Sequence, residues 1–432
     1  MQLKFIKTIL LFAFTFSLTI AQTSETNSEF FNWLKTKPGI EIKKVSSPDS
    51  MFSESYEVMI EQPLDHENPE SPKFKQQVFV SLHDKNRPVI FVTEGYEAFN
   101  WTYELSKILD ANQIIVEHRY FAESTPDSSI FDWKYLTIKQ AAADHHAIVQ
   151  LFKEYFNGKW VNTGISKGGQ TTMYHRRFYP DDVDASVPYV GPLAFAPADD
   201  RVHTFIDNVS TRECRKKVHD FQALALKNRD ELIKIFYADA EVKGYTYSIG
   251  FSEAFEYGVL EYSFAYWQWG DGDCDRIPDS TASLKDIYDQ LSLFGTLDYF
   301  SDAGIKAFEP FFYQAFTQLG YYDYDITEFN GLIEYIDGSN KCFYPEDFIG
   351  SFDPSAMLDI NNWIQNEGDK FIFIYGENDP WSACAVELTG NTNSIKMVLE
   401  GGNHTTRINS FPEDQRKIII DKLEEWLDID IN

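Results

Sequence analysis

Apolar positions along the chain recur in two rhythms. Short apolar runs stand at Tyr56 to Ile60, Val78 to Leu82, Val89 to Thr93, Ile114 to Glu117, Trp160 to Asn162 and Ala185 to Val190. Each has strand length and falls short of a helix. Stretches with helical spacing separate several of them, Thr137 to Phe156 being an example. The strand signature returns at 371–375 and 395–399, and Glu413 to Leu427 reads as a closing helix. Strand and helix in alternation predict a mostly parallel sheet covered on both faces, hence the α/β class.

Between roughly 196 and 350 the pattern changes. Strand signals fade, and aromatic-rich helical stretches appear over Phe251 to Trp269 and Phe308 to Tyr322. A helical cap inserted in a sheet domain reads this way, which places the core at 51–195 and 351–432 and the cap at 196–350. Residues 22–50 are polar without a clear period and read as an amino-terminal arm. Residues 1–21 carry Lys4 and Lys7, an apolar run from Ile9 to Ile20, and Thr19-Ile20-Ala21. That is the pattern of a signal peptide cut after Ala21. Its apolar run is shorter than the ~20 residues that cross a bilayer, so a lasting membrane anchor is not expected. The expected location is secreted or periplasmic.

Charge narrows the partners. The chain of 432 residues has a formal net charge of −29, and loss of the two leader lysines gives −31 (−29 − 2). Such a surface repels nucleic acid and anionic lipid, so neither is an expected partner. The four cysteines, Cys214, Cys274, Cys342 and Cys384, form an even set in an exported chain. They predict two disulfides with three conceivable pairings, of which Cys342–Cys384 with Cys214–Cys274 is preferred. No C-x-x-C or H-E-x-x-H pattern occurs, so no metal site and no cofactor are expected.

The chemistry lies in three separated residues. Gly164-Ile165-Ser166-Lys167-Gly168 follows the run at Trp160 and precedes a helical stretch, Gln170 to Phe178. A serine in such a G-x-S-x-G setting stands exposed on a sharp strand-to-helix turn. Its hydroxyl is a poor nucleophile unless a His takes the proton and a carboxylate fixes that His. Asp379 sits just past the strand at 371–375, with Pro380 restricting its backbone, and His404 follows 25 residues on in a Gly401-Gly402-Asn403 loop. The order Ser, Asp, His makes Ser166, Asp379 and His404 the expected triad, with Glu377 as the close carboxylate competitor. The N–H of Lys167 is the first expected oxyanion donor. The N–H of Tyr96, in the Thr93-Glu94-Gly95-Tyr96 loop, is the second. His145 and His146 are adjacent on a helix, about 100° apart, and cannot form an i,i+4 metal pair.

Four motifs resemble one lineage of serine exopeptidases that includes prolyl carboxypeptidase and dipeptidyl peptidase II. They are Gln62-Pro63-Leu64-Asp65-His66, Glu117-His118-Arg119-Tyr120-Phe121-Ala122-Glu123-Ser124, Gly164-Ile165-Ser166-Lys167-Gly168-Gly169 and Asp379-Pro380-Trp381. The chain is most similar to the bacterial secreted tripeptidyl-aminopeptidase family, whose elbow carries a Lys after the Ser as Lys167 does here. The resemblance implies an α/β-hydrolase core with a helical cap, and peptide substrates from whose free N-termini short peptides, often tripeptides, are removed, in some relatives after proline. An aminopeptidase holds a cationic amine, and a buried cap carboxylate suits that task. Glu253, Glu256 and Glu261 share one helical stretch, and Glu261 is the expected amine-binding residue.

Two other readings stand beside this one. A carboxypeptidase or esterase uses the same triad, but a carboxypeptidase presents Arg or Lys to a terminal carboxylate, whereas the central cap helix offers acids. A non-catalytic envelope binding protein that inherited the fold is opposed by the full Ser, Asp, His set. Oligomeric state has no signature in the sequence.

Overall fold

The computed structural model describes residues 28–345, 348 and 350–431. The signal peptide read over residues 1–21 lies outside the described residues. One nine-stranded sheet organises the molecule. Its strands are β1 (Ile40–Val45), β2 (Glu54–Pro63), β3 (Lys73–Leu82), β4 (Val89–Thr93), β5 (Asn112–Val116), β6 (Trp160–Ile165), β7 (Ala185–Tyr189), β8 (Ile372–Gly376) and β9 (Ile395–Leu399). The spatial order is β1-β2-β3-β5-β4-β6-β7-β8-β9. β1, β2 and β3 pair antiparallel, β3 joins β5 antiparallel, and every pairing from β5 across to β9 is parallel.

The central strands are apolar throughout because both faces are covered. In β4, Val89 and Phe91 face one helical layer, whereas Ile90 and Val92 face the other. This is the two-residue alternation of a pleated strand. In β8, Phe373 and Tyr375 pack with Ile360 and Trp363 of the helix Pro354–Asn366, while Ile372 and Ile374 pack with Ile419 and Leu423 of the helix Glu413–Leu427. A mostly parallel sheet with helices on both faces and a serine at a strand-to-helix elbow is an α/β-hydrolase core.

Residues 29–45 depart from the polar arm expected of them. They form the helix Glu29–Lys35 and the edge strand β1, which pairs with β2 from Ile40↔Ile60 to Val45↔Ser55. Phe30 and Leu34, four residues apart on one helix face, are buried against Tyr56, Phe152 and Phe156. Only Phe30 and Leu34 of that seven-residue helix are fully buried, with Phe31 and Trp33 packing at the margin, and β1 is half-exposed along its length, so the segment is too short to register an apolar period in the sequence.

Between β7 and β8 the chain is helical, with an aromatic core that includes Phe221, Phe255, Tyr262 and Phe312. The helix Phe251–Trp269 has the bounds read from the sequence. The helix expected over Phe308 to Tyr322 instead starts at Asp302, capped by the Ser301 hydroxyl, and ends at Gln314 in a π-helical turn, Ala315–Leu319. Cys214–Cys274 forms as expected, joining the helix Arg212–Lys227 to the turn Cys274–Arg276. The preferred Cys342–Cys384 bond is absent, and both are free thiols. The Cys342 thiol neighbours Tyr257, whereas Cys384 lies beside Asp199 and Arg201, so the two occupy different surroundings; burial pushes each thiol up to about 12.

The bond that does form closes a separation of 60 residues. Restriction of the unfolded chain over such a loop is worth roughly 4 kcal/mol at most, and measured values run at about 2–4 kcal/mol. Replacing Cys214 and Cys274 together by Ser is expected to lower the unfolding free energy by about that amount, read from the urea midpoint. An unchanged midpoint would show that the bond constrains nothing.

Candidate active site

Ser166 stands between β6 and the helix Lys167–Phe178 with φ 58° and ψ −121°. A non-glycine residue there is strained by about 1–3 kcal/mol, which the surroundings must impose. They do so through contacts that leave no room to relax. The Ser166 N–H donates to the Tyr189 carbonyl at 2.9 Å, tying the elbow to the end of β7. A side chain at Gly164 would put its Cβ 2.2 Å from the Gly168 carbonyl oxygen, so only glycine lets the helix fold back over the strand. On the other side, Thr93 at the end of β4 bonds Thr172 of the elbow helix at 2.9 Å.

Asp379 follows β8 and is fully buried. One carboxylate oxygen accepts the Trp381 N–H at 3.1 Å, and the other bonds Nδ1 of His404 at 2.7 Å. The competitor, Glu377, is exposed and instead accepts the Gly401 N–H at 2.8 Å. His404 is buried, its backbone N–H donates to the Gln268 carbonyl at 3.1 Å, and its ring meets Trp269 edge-on at 5.1 Å. The Asn403 side chain donates to the Gly270 carbonyl at 2.8 Å. The histidine loop is thus latched to the end of the helix Phe251–Trp269. Among the described residues, neither the Ser166 hydroxyl nor His404 Nε2 makes a hydrogen bond, to the other or to any further group, so the structure joins His404 to Asp379 by a hydrogen bond but does not join Ser166 to His404 by one.

Ser166 opens into a narrow cleft shared with Tyr96, Pro192, Phe311 and Trp381. Because Trp381 is two residues past Asp379, the turn carrying the acid also walls the cleft that holds the serine. The N–H groups of Tyr96 and Lys167 donate to no other described group. The Lys167 side chain is buried, with Nζ 2.6 Å from the Gly95 carbonyl oxygen and over the rings of Tyr96 (5.6 Å) and Phe121 (5.2 Å).

Glu261 is the buried acid of the helix Phe251–Trp269 that, among the described residues, has no cation against it. Its carboxylate accepts the Tyr322 hydroxyl at 2.9 Å and the Tyr324 hydroxyl at 2.9 Å, and burial pushes its pKa up to about 7. Tyr322 stacks on Phe264 at 4.0 Å and meets Trp381 at 5.4 Å, so aromatic contact runs from the serine cleft to this carboxylate. The two alternatives are placed differently. Glu256 is paired with Arg229 at 2.7 Å and accepts the N–H groups of Glu334 and Tyr335, while Glu253 is half-exposed in the first helical turn. Tyr322, Tyr324 and Phe264 also border a cavity of about 670 Å³, where a hydrogen bond to Asp323 pushes His203 up to about 9. Nothing in the sequence marked Tyr322 and Tyr324, because they lie 61 and 63 residues from the acid they contact.

Comparison with known proteins places the chain among serine peptidases. Residues 38–431 match the family described as PS-10 peptidase S37. The chain is similar to the prolyl tri/tetrapeptidyl aminopeptidase of Streptomyces mobaraensis, with 34% identity over 377 residues covering 84% of this chain and 78% of that one. It is also similar to prolyl carboxy peptidase like protein 5 of Caenorhabditis elegans, with 29% identity over 186 residues, 38% of this chain and 36% of that one. The solved structure of a Mycobacterium smegmatis proline iminopeptidase aligns at 12% identity over 85% of this chain and 98% of that one, with a TM-score of 0.41, a likeness too loose to add to the sheet order. A family match over nearly all the described residues sets aside the binding-protein reading. The chain belongs to the PS-10 peptidase S37 family and is a serine peptidase.

Proposed function

We propose that the protein is an exported exopeptidase that releases short peptides, tripeptides above all and those ending in proline among them, from free N-termini through an acyl-enzyme on Ser166. One observation carries the reading: a buried carboxylate, Asp379, bonds His404 Nδ1 at 2.7 Å and leaves Nε2 uncommitted. The Ser166 hydroxyl attacks the scissile carbonyl as its proton passes to His404 Nε2, and Asp379 stabilises the imidazolium that forms. The N–H groups of Lys167 and Tyr96 receive the oxyanion. Collapse of the intermediate breaks the C–N bond, and His404 returns the proton to the leaving amine. Water, deprotonated by the same imidazole, then attacks the ester carbon, and Ser166 regains its hydroxyl. Export is supported by the leader pattern at residues 1–21 and by the Cys214–Cys274 bond, which suits an oxidising compartment.

Glu261 is the group proposed to receive the substrate's ammonium. A desolvated carboxylate without a cation against it is costly, and an incoming amine supplies the missing partner. A carboxypeptidase needs a cation in this place, whereas the buried titratable group behind Trp381 and Tyr322 is an acid. Digestion of matched free and N-acetylated peptides, read by mass spectrometry, tests the reading. The acetylated peptides are expected to be cut about 100-fold more slowly, the scale of leaving a buried charge unpaired. The carboxylate ionises as pH rises through about 7, so KM for free-amine peptides is expected to fall across that range. Glu261→Gln flattens that dependence and raises KM. Equal cleavage of blocked and free peptides would remove the amine-anchoring role.

A further inference from the structure

We propose that Lys167 is a positioning residue of the reaction, whose side chain clamps the peptide unit carrying the second oxyanion donor. The inference rests on the acyl-enzyme reading above and extends it to a side chain that reading does not use. Lys167 Nζ donates to the Gly95 carbonyl oxygen at 2.6 Å. That carbonyl and the Tyr96 N–H belong to one planar trans peptide, so they point in opposite directions and turn together. Fixing the carbonyl on one side of the plane therefore aims the N–H on the other. A hydrogen bond accepted by an amide carbonyl also polarises the amide and strengthens its N–H as a donor.

Three further features support the clamp. The Tyr96 N–H donates to no other described group, and Tyr96 lines the Ser166 cleft. The Gly95 backbone lies directly on the elbow, since a Cβ there would sit 2.6 Å from the Gly168 nitrogen and 2.6 Å from Lys167 Cβ. The lysine also has no carboxylate against it among the described residues; its surroundings are the faces of Tyr96 and Phe121, the one carbonyl and the buried imidazole of His118. Burying an amine in that setting is unfavourable and holds its pKa well below the ordinary lysine value. An apolar chain of similar length would fill the space without that cost, and what it would lack is the donor. One residue thereby offers its own backbone N–H as the first oxyanion donor and orients the second through its side chain.

The test compares Lys167→Met, which keeps the bulk, with Lys167→Gln, which keeps a shorter amide donor. Each is assayed for kcat and KM on a free-amine tripeptide amide, and for inhibition by the matching tripeptide aldehyde and tripeptide acid. The aldehyde forms a tetrahedral adduct with an oxyanion; the acid reports ground-state binding. The Met variant is expected to lose about 10- to 100-fold in kcat, somewhat less than outright removal of an oxyanion donor. Its KM and its affinity for the acid stay within about 3-fold, its affinity for the aldehyde falls with kcat/KM, and the Gln variant recovers part of kcat. A kcat within twofold of the parent, or equal losses of acid and aldehyde affinity, overturns the proposal. So does failure of both variants to fold by near-ultraviolet circular dichroism, which would make Lys167 a residue of the core alone. Ser166→Ala, run alongside, separates the two layers. If it is inactive while Lys167→Met works at the parental rate, only the clamp is lost; if it remains active, the acyl-enzyme reading falls first.

Discussion

Ser166→Ala is expected to lower kcat/KM for free-amine peptides by about 10⁴-fold or more while leaving the protein folded. The scale is that of removing a nucleophile which acts as a unit with its base. Folding is expected to survive for a local reason. Alanine keeps the Cβ and the backbone N–H bond to Tyr189, and the lost hydroxyl bonds no other described group, so no buried partner is stranded. The strained φ of 58° is imposed by the elbow and is no worse for alanine than for serine. The melting temperature should stay within a few degrees of the parent, and labelling by a fluorophosphonate probe should vanish with the activity. A variant that still hydrolyses peptides at more than a hundredth of the parental rate would remove the serine from the mechanism.

Asp379→Asn is expected to cost about 10⁴-fold in kcat at neutral pH, with a much smaller change in KM. Asparagine fits the same space and keeps an oxygen for the Trp381 N–H. Its other terminus is an NH₂ where Asp379 now accepts from His404 Nδ1 at 2.7 Å. A donor facing Nδ1 forces the ring into the tautomer with its proton on Nε2, and such a ring cannot take the proton of a serine hydroxyl. Glu377→Gln is the control, since that exposed side chain meets the Gly401 N–H and not the imidazole. It should keep activity within a few-fold of the parent. Comparable losses in the two variants would mean that the acid of the site has been misassigned.

The sequence was most legible where the chain is patterned on its own scale. β4 and the helices Phe251–Trp269 and Glu413–Leu427 have the bounds their apolar spacing gives, because strands and helices repeat every two or 3.6 residues and burial follows that repeat. The G-x-S-x-G elbow was legible for a related reason: the close approach at Gly164 demands a residue type that can be read directly. The segment 29–45 was not legible, since its helix buries two side chains and its strand lies half-exposed at the sheet edge. Cysteine spacing was a poor guide as well. It yielded one correct pair, Cys214–Cys274, and one pair whose members sit in different surroundings.

By itself the sequence determined the class of fold, the serine at its elbow, and the order in which a carboxylate and a histidine follow it. Local pattern suffices for these, since each depends on neighbours within a few positions. Tertiary structure alone decided that Asp379 and not Glu377 faces His404, that Lys167 folds back onto the Gly95 carbonyl, and that Glu261 meets two tyrosines instead of a cation. Each of these contacts joins residues 25 to 72 positions apart, and no repeat along the chain specifies such a distance. It is set by how sheet and helical layers pack, through burial that rewards apolar area wherever it comes from along the chain.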